Sequence, residues 1–149
     1  MITAKDIMSR DIISVSSQTS VAELAKILTN NNINGVPVVD EAGKLLAVVT
    51  ESDLIDQSKR LHIPTVVTIL DSVFYLENPD KMEDEMKKIA GTKVGDICSS
   101  SVKTVSPEAP LDEIATIMAE GNIHTLPVVN GEDLVGIIGK KDIIKTLIG

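Results

Sequence analysis

The chain has 149 residues, of which 43% are hydrophobic, and its formal net charge is −8. This composition excludes a disordered chain and fits one compact domain, or two small half-domains that share an aliphatic core. The acidic charge argues against a nucleic acid polymer as a partner, and no apolar run approaches the roughly 20 residues of a membrane helix, so we expect a cytoplasmic protein without membrane contact.

The first half of the chain reads as strand, helix, strand, strand and helix. Ser20 and Glu23 form a capping box that opens the first helix, and the side-chain amides of 30–32 favour its end. The runs 36–39 and 45–49 are continuously apolar, which predicts strands covered on both faces. The closing helix is predicted from about residue 50 to about residue 61.

A segment at 62–91 separates this first half from the second. Apolar stripes at helical spacing follow Pro64 and Asn78-Pro79, which predicts an inserted helical hairpin. Two interpretations stay open: the stripes cover the core, or they form a surface for a partner subunit or self-association.

The second half repeats the first. Residues 6–39 align without a gap against 96–129, with thirteen of the 34 positions identical, and 45–55 then match 134–144. The predicted α/β architecture is therefore two repeats, 1–61 and 92–149, packed about a pseudo-twofold axis with the hairpin inserted between them. Clefts between such halves are natural binding sites.

Catalytic chemistry has little support in the sequence. The two histidines, His62 and His124, have no metal-ligand spacing with the single cysteine, Cys98. Cys98 aligns with Met8, so we interpret it as a small buried apolar side chain in a reducing compartment. We predict no enzyme activity, no metal site and no catalytic cofactor.

Thr50, Ser52 and Asp53 follow the second predicted strand of the first repeat. A hydroxyl and a carboxylate three residues apart at a helix start are typical of a helix cap. The same groups suit a ligand, since a carboxylate accepts from both hydroxyls of a ribose, and the helix start and the Thr50 hydroxyl suit a phosphate. The two interpretations are compatible.

Taken together and in order, the duplicated elements resemble a known family. The pattern of a hydrophobic residue and S/T-V, then a helix, I-x-x-x-P-V-V-D and T-x-S-D resembles the cystathionine β-synthase (CBS) domain, and the whole chain looks like a stand-alone CBS pair, or Bateman module. The resemblance covers everything except the hairpin. It implies two clefts that bind an adenosine-containing ligand (AMP, ADP, ATP or S-adenosylmethionine), regulation of another protein, and a homodimer.

The resemblance also implies site residues in both clefts. In the first cleft they are Thr50, Ser52, Asp53, Lys103, Thr104, His124 and Thr125. In the second they are Ile13, Ser14, Asn34, Gly35 and Asp142. Because Gly139 stands where the first repeat has Thr50, one hydroxyl contact is missing from the second cleft, and we predict that the first binds better.

Two functions of different classes follow. The first is a regulatory module that senses an adenine nucleotide and signals to a partner protein that the sequence does not identify. The second is a structural or adaptor protein with degenerate clefts, which acts through protein contacts of the hairpin. Thr50 and Asp53 favour the first, whereas Gly139 and the inserted hairpin favour the second.

Overall fold

Residues 1–60, 92–98 and 102–148 are described by the structure, a computed structural model; the hairpin predicted at 62–91 lies outside them. The helices are α1 (Ala4–Ile7), α2 (Val21–Asn31), α3 (Glu51–Arg60), α4 (Val94–Ile97), α5 (Leu111–Glu120) and α6 (Lys140–Thr146). The strands are β1 (Gly35–Val39), β2 (Leu45–Thr50), β3 (Thr125–Asn130) and β4 (Asp133–Gly139). This mixed α/β architecture of two repeats confirms the predicted fold class.

Local sequence signals fix the ends of α2. The Ser20 hydroxyl accepts a hydrogen bond from the Glu23 N–H at 3.0 Å, which satisfies one of the unpaired donors at the helix start. At the other end Asn32 adopts a left-handed conformation with φ 51°, and its N–H bonds back to the Leu28 and Thr29 carbonyls. The Ser20 N-cap and the predicted end of the helix are therefore confirmed, and of the predicted capping box the described contacts show only the Ser20 half.

Each repeat contains an antiparallel strand pair, β1 with β2 and β3 with β4. The strand predicted at the start of each repeat is reduced to single bridging residues, Val15 parallel to Val38 and Val105 parallel to Val128. The prediction of strands covered on both faces holds for β1, where Gly35 to Val38 are all buried. It is wrong for β2, where burial alternates and Leu46 is 47% exposed.

The short helices α1 and α4, which the sequence analysis missed, exchange places between the repeats. The Ala4 N–H donates to the Ala109 carbonyl at 2.9 Å, while the Val94 N–H donates to the Thr19 carbonyl at 2.8 Å. Ala4 is buried in the core of the second repeat, and Val94 in that of the first. Each repeat therefore completes its core with a segment that precedes the other repeat.

Beyond α1 the exchanged segment continues along a strand edge. Ser9 and Ile137 pair through both backbone hydrogen bonds, at 2.8 and 3.0 Å, which places Ser9 beside β4. Met8 packs against the second core so closely that only a glycine, Gly136, fits opposite it. The N-terminal segment thus forms part of the second repeat's surface, where it borders a cleft.

Among the described residues, no helix has the length and apolarity needed to cross a membrane.

Candidate functional site

Two clefts open between the repeats. The first, which we call the Asp53 cleft, has a volume of about 470 Å³ and lies where β2 passes into α3. Its lining residues are Asn34, Val48, Thr50, Glu51, Ser52, Asp53, Ile55, Val102, Lys103, Asn122, Ile123, His124, Thr125 and Lys140. Its size falls within the range of small-molecule pockets, and it combines aliphatic walls with convergent polar groups.

Asp53 both caps a helix and faces the cleft. Its Oδ2 accepts from the Thr50 N–H at 2.9 Å and from the Thr50 hydroxyl at 3.3 Å, which is the capping arrangement predicted for this pair. Its Oδ1 has no hydrogen-bond partner in the part of the chain whose side chains are described (1–56, 92–98 and 102–148). One carboxylate oxygen therefore orients the side chain while the other is available to a ligand.

The second cleft, the Asp142 cleft, has a volume of about 260 Å³ where β4 passes into α6. Its lining residues are Ser9, Asp11, Ile13, Asn32, Ile33, Asn34, Gly35, Pro37, His124, Thr125, Ile137, Ile138, Gly139, Lys140, Lys141, Asp142 and Lys145. Asp142 Oδ2 accepts from the Gly139 N–H at 2.7 Å, as Asp53 Oδ2 does from the Thr50 N–H. The second bond of the Asp53 cap, from a threonine hydroxyl, has no counterpart here because residue 139 is glycine. Asp142 therefore occupies the position that Asp53 occupies in the first cleft.

The wall between the clefts is formed by the segments that enter β1 and β3. Asn34, Thr125, His124 and Lys140 line both clefts. Gly35 is required here, because a Cβ at this position would lie 2.9 Å from the Thr125 hydroxyl oxygen and 2.9 Å from the Val49 carbonyl oxygen. The close approach of the two repeats at this glycine brings both clefts against one shared wall.

Most residues carried over from the family resemblance line the cleft predicted for them, and three of these, Asn34, His124 and Thr125, line the other cleft as well. Ser14 and Thr104 are the exceptions: both are exposed and line neither cleft. Side chains alternate along an extended segment, so Ser14 lies on the face opposite to Ile13 and the buried Val15. The ligand-binding role of all these residues stays a prediction.

Several cleft residues were missed by the sequence analysis. Ser9 and Asp11 enter the Asp142 cleft with the exchanged segment, directly before the predicted Ile13. Lys141 and Lys145 also line this cleft, and the signal for Lys141 was available because the repeat alignment pairs it with Ser52.

Cys98 is half-buried rather than buried, and it packs against the first core. Burial raises the pKa of its thiol, and the negative charges of Asp53 and Asp96 raise it further. A raised pKa disfavours the nucleophilic thiolate. Within the described ranges, no group of three or more His, Cys, Asp or Glu side chains is arranged to hold a metal ion.

A family model described as the CBS domain matches residues 4–60 and 94–149. The chain is 30% identical to the uncharacterized protein MJ1426 of Methanocaldococcus jannaschii, over 97% of this chain and 90% of that protein. It is 29% identical to a CBS domain-containing protein of Dictyostelium discoideum, over 99% of this chain and 92% of that protein.

Solved structures show the same architecture. The CBS domain pair of protein MJ0100, in complex with 5′-methylthioadenosine and S-adenosyl-L-methionine, has a TM-score of 0.73 and 29% identity, with 100% of this chain and 98% of that chain covered. CBSX2 of Arabidopsis thaliana, in complex with AMP, shares the fold with a TM-score of 0.73 at 23% identity, over 99% of this chain and 97% of that chain.

Proposed function

The chain belongs to the CBS domain family, and we propose that it is a regulatory module that binds an adenosine-containing ligand between its two repeats. The observation that carries this proposal is the hydrogen bonding of the Asp53 and Asp142 carboxylates, which lie in the clefts. Each uses one carboxylate oxygen to accept from the backbone at a helix start, and within the described part of the chain the other oxygen has no partner. A carboxylate held in this way suits the paired hydroxyls of a ribose.

The rest of each cleft suits the other parts of such a ligand. Val48, Val102 and Ile123 offer an aliphatic slot for an adenine ring in the Asp53 cleft, with Lys103 and Lys140 available to a phosphate. The CBS pair of MJ0100, at 29% identity, is a complex with two adenosyl compounds, which supports the same ligand class here. AMP, ADP, ATP and S-adenosylmethionine are the candidates, and the stronger binding predicted for the Asp53 cleft belongs to this proposal.

The output of such a module is regulation rather than catalysis. Ligand binding between the repeats changes how they pack, and a second protein that contacts both repeats would sense the change. We therefore propose that the chain signals to a separate protein and is not an enzyme. The cytoplasmic location, the repeat boundaries and the hairpin stay predictions from the sequence.

We also propose a homodimer. Ile55 of α3 and Ile144 of α6 occupy equivalent positions in the two repeats, and they are 67% and 53% exposed. Ile55 also borders the Asp53 cleft, but most of its side chain is exposed, as is that of Ile144, and covering both with a second copy of the chain would bury apolar surface. Light scattering coupled to gel filtration should give twice the chain mass, and Ile55→Lys with Ile144→Lys should give a monomer. Leu46→Lys, a change at an exposed apolar residue of β2, is the control and should leave the dimer intact.

A thermal-shift screen against AMP, ADP, ATP, S-adenosylmethionine and NAD tests the ligand proposal. A ligand at about 100 times its dissociation constant stabilises the fold by about 2.7 kcal/mol. At about 2–4 °C for each kcal/mol, this corresponds to a rise in Tm of about 5–10 °C. The double variant Asp53→Asn with Asp142→Asn should lose the rise, whereas Asp56→Asn with Asp133→Asn, two exposed carboxylates outside both clefts, should keep it.

A screen in which none of the five compounds raises the Tm would contradict the proposal. The adaptor function, with protein contacts made outside the clefts, would then be the better account of the chain.

A further inference from the structure

The two clefts differ in charge at equivalent positions. Repeat alignment pairs Lys140, Lys141 and Lys145 of the second repeat with Glu51, Ser52 and Asp56 of the first. All three lysines line the Asp142 cleft, whereas Glu51 and Ser52 line the Asp53 cleft. The pseudo-twofold axis thus relates a basic helix start in one repeat to an acidic one in the other.

The two clefts still differ in charge when their acidic residues are included. In the Asp142 cleft the three lysines face two carboxylates, Asp11 and Asp142. In the Asp53 cleft Lys103 and the shared Lys140 also face two carboxylates, Glu51 and Asp53. His124 lines both clefts and does not distinguish them. Because the net charge of the chain is −8, a cleft with an excess of lysines is a local exception on an acidic molecule.

Lys141 is directed across the Asp142 cleft. Its Nζ lies 3.4 Å from the carbonyl oxygen of Asn32, a residue of the opposite repeat that also lines the cleft. This ammonium group therefore spans the gap between the repeats. A phosphate oxygen, which carries full negative charge, is a stronger partner for it than a neutral carbonyl.

We propose that the clefts sort adenosine ligands by the charge of their tails. The Asp142 cleft takes a ligand with a polyphosphate tail, and the Asp53 cleft takes one whose tail is neutral, cationic or singly phosphorylated. The inference rests on the proposed function, because it assumes that the adenosine part binds in both clefts. It is compatible with stronger overall binding by the Asp53 cleft, since it concerns the ratio of the ATP and AMP affinities within each cleft.

Calorimetric titration with adenosine, AMP and ATP measures this sorting in two backgrounds. Asp53→Asn leaves the Asp142 cleft unaltered, and Asp142→Asn leaves the Asp53 cleft unaltered. We expect the ratio of ATP affinity to AMP affinity to be at least about tenfold higher in Asp53→Asn than in Asp142→Asn. The reason is that each ammonium–phosphate contact in water is worth a several-fold change in affinity.

Exchanging the charged residues between the repeats should move the preference. Lys141→Ser with Lys145→Asp gives the Asp142 cleft the residues of the first repeat, and we expect its ATP-to-AMP ratio to fall about tenfold. Glu51→Lys with Ser52→Lys, at aligned positions that line the Asp53 cleft, should raise the ratio of that cleft. The matched control is Lys5→Ser with Lys26→Asp, which changes the net charge equally at two exposed positions outside the clefts and should leave both ratios unchanged.

Salt separates an electrostatic effect from a structural one. Between 0.1 M and 1 M salt the screening length shortens from about 10 Å to about 3 Å, so the ATP preference should shrink while adenosine affinity changes little. Equal ATP-to-AMP ratios in the two backgrounds, or a lysine exchange that weakens adenosine, AMP and ATP alike, would overturn the inference.

Inorganic tripolyphosphate distinguishes failure of this inference from failure of the proposed function. If no adenosine compound binds but tripolyphosphate binds the wild-type chain and not Lys141→Ser with Lys145→Asp, the polyphosphate preference stands and the adenosine proposal fails. If adenosine and AMP bind but the tail has no effect on which cleft is occupied, the proposed function stands and the sorting fails. Binding of neither class rejects both.

Discussion

Close packing between Met8 and Gly136 holds the exchanged N-terminal segment against the second repeat, and an added methyl group tests it. A Cβ on Gly136 would lie 2.7 Å from Met8 Cγ and 3.0 Å from Met8 Cβ, and closer still to its Sδ. Separations of this kind are too short for carbon atoms, so Met8 must move. Overpacking of this kind costs about 1–3 kcal/mol. For Gly136→Ala we therefore expect a fall in Tm of about 2–12 °C.

The first repeat supplies the compensating change. Its equivalent residues are Ala47 and Cys98, and Cys98 packs against the core that contains Ala47. Met8→Cys alone removes apolar contacts and should cost about 1–2 kcal/mol. Combined with Gly136→Ala, it should recover most of the loss, because the smaller side chain makes room for the methyl group.

Chemical denaturation of the wild type, the two single variants and the double variant gives the coupling energy, which we expect to be about 1–2 kcal/mol. Gly139→Ala on the same strand is the control, because the nearest atoms to its added Cβ lie at 3.8 Å. Because Gly139 is also the N-cap of α6, where alanine is less favourable than glycine, this variant should lose less than about 1 kcal/mol and show no coupling to Met8→Cys. Additive effects of the two substitutions would refute the proposed packing of the exchanged segment.

Three further predictions concern the shared wall, an ion pair and the thiol. Gly35→Ala should destabilise the fold by about 1–3 kcal/mol in thermal denaturation, because its Cβ meets atoms on both repeats at 2.9 Å; an unchanged Tm would contradict the close approach. Lys44 and Glu132 form an exposed ion pair with 2.9 Å between Nζ and Oε2. In a double-mutant cycle this pair should contribute less than about 1 kcal/mol to the free energy of unfolding, because water screens exposed charges, and a larger coupling energy would contradict this expectation. Because its pKa is raised, Cys98 should react with iodoacetamide at pH 8 more slowly than free cysteine does, with the rate rising as the pH increases above 8; a faster reaction would contradict the assigned environment.

The elements that sequence alone predicted are those encoded by neighbouring residues. Ser20, Glu23 and Asn32 determine both ends of α2 through contacts within a few residues, and the apolar runs of β1 and β2 are continuous. The helices α1 and α4 are four residues long, too short to show a period, and their partners lie about a hundred and about seventy-five positions away in the sequence. Their exchange between the repeats was therefore not visible locally.

The residues of the candidate site likewise include some that the sequence predicted and others that only the structure revealed. Asp53 and Asp142 were identified because the repeat places each of them three residues after a strand, and the family resemblance supplied the surrounding residues. Lys145 looks like the solvated face of a short helix when the sequence is considered alone, and Lys141 is indicated there only by its alignment with Ser52. Only the position of α6 beside the exchanged N-terminal segment makes them cleft residues.

A calorimetric cycle between protein and ligand tests whether the two carboxylates contact the ribose hydroxyls. AMP and 2′,3′-dideoxy-AMP would be titrated into the wild type and into the double variant Asp53→Asn with Asp142→Asn. We expect that removing the hydroxyls weakens binding to the wild type by about tenfold or more, because hydrogen bonds to a charged group are lost. The double variant should bind both compounds with the same low affinity. An equal loss in both proteins would place the ribose away from Asp53 and Asp142 and so refute this contact.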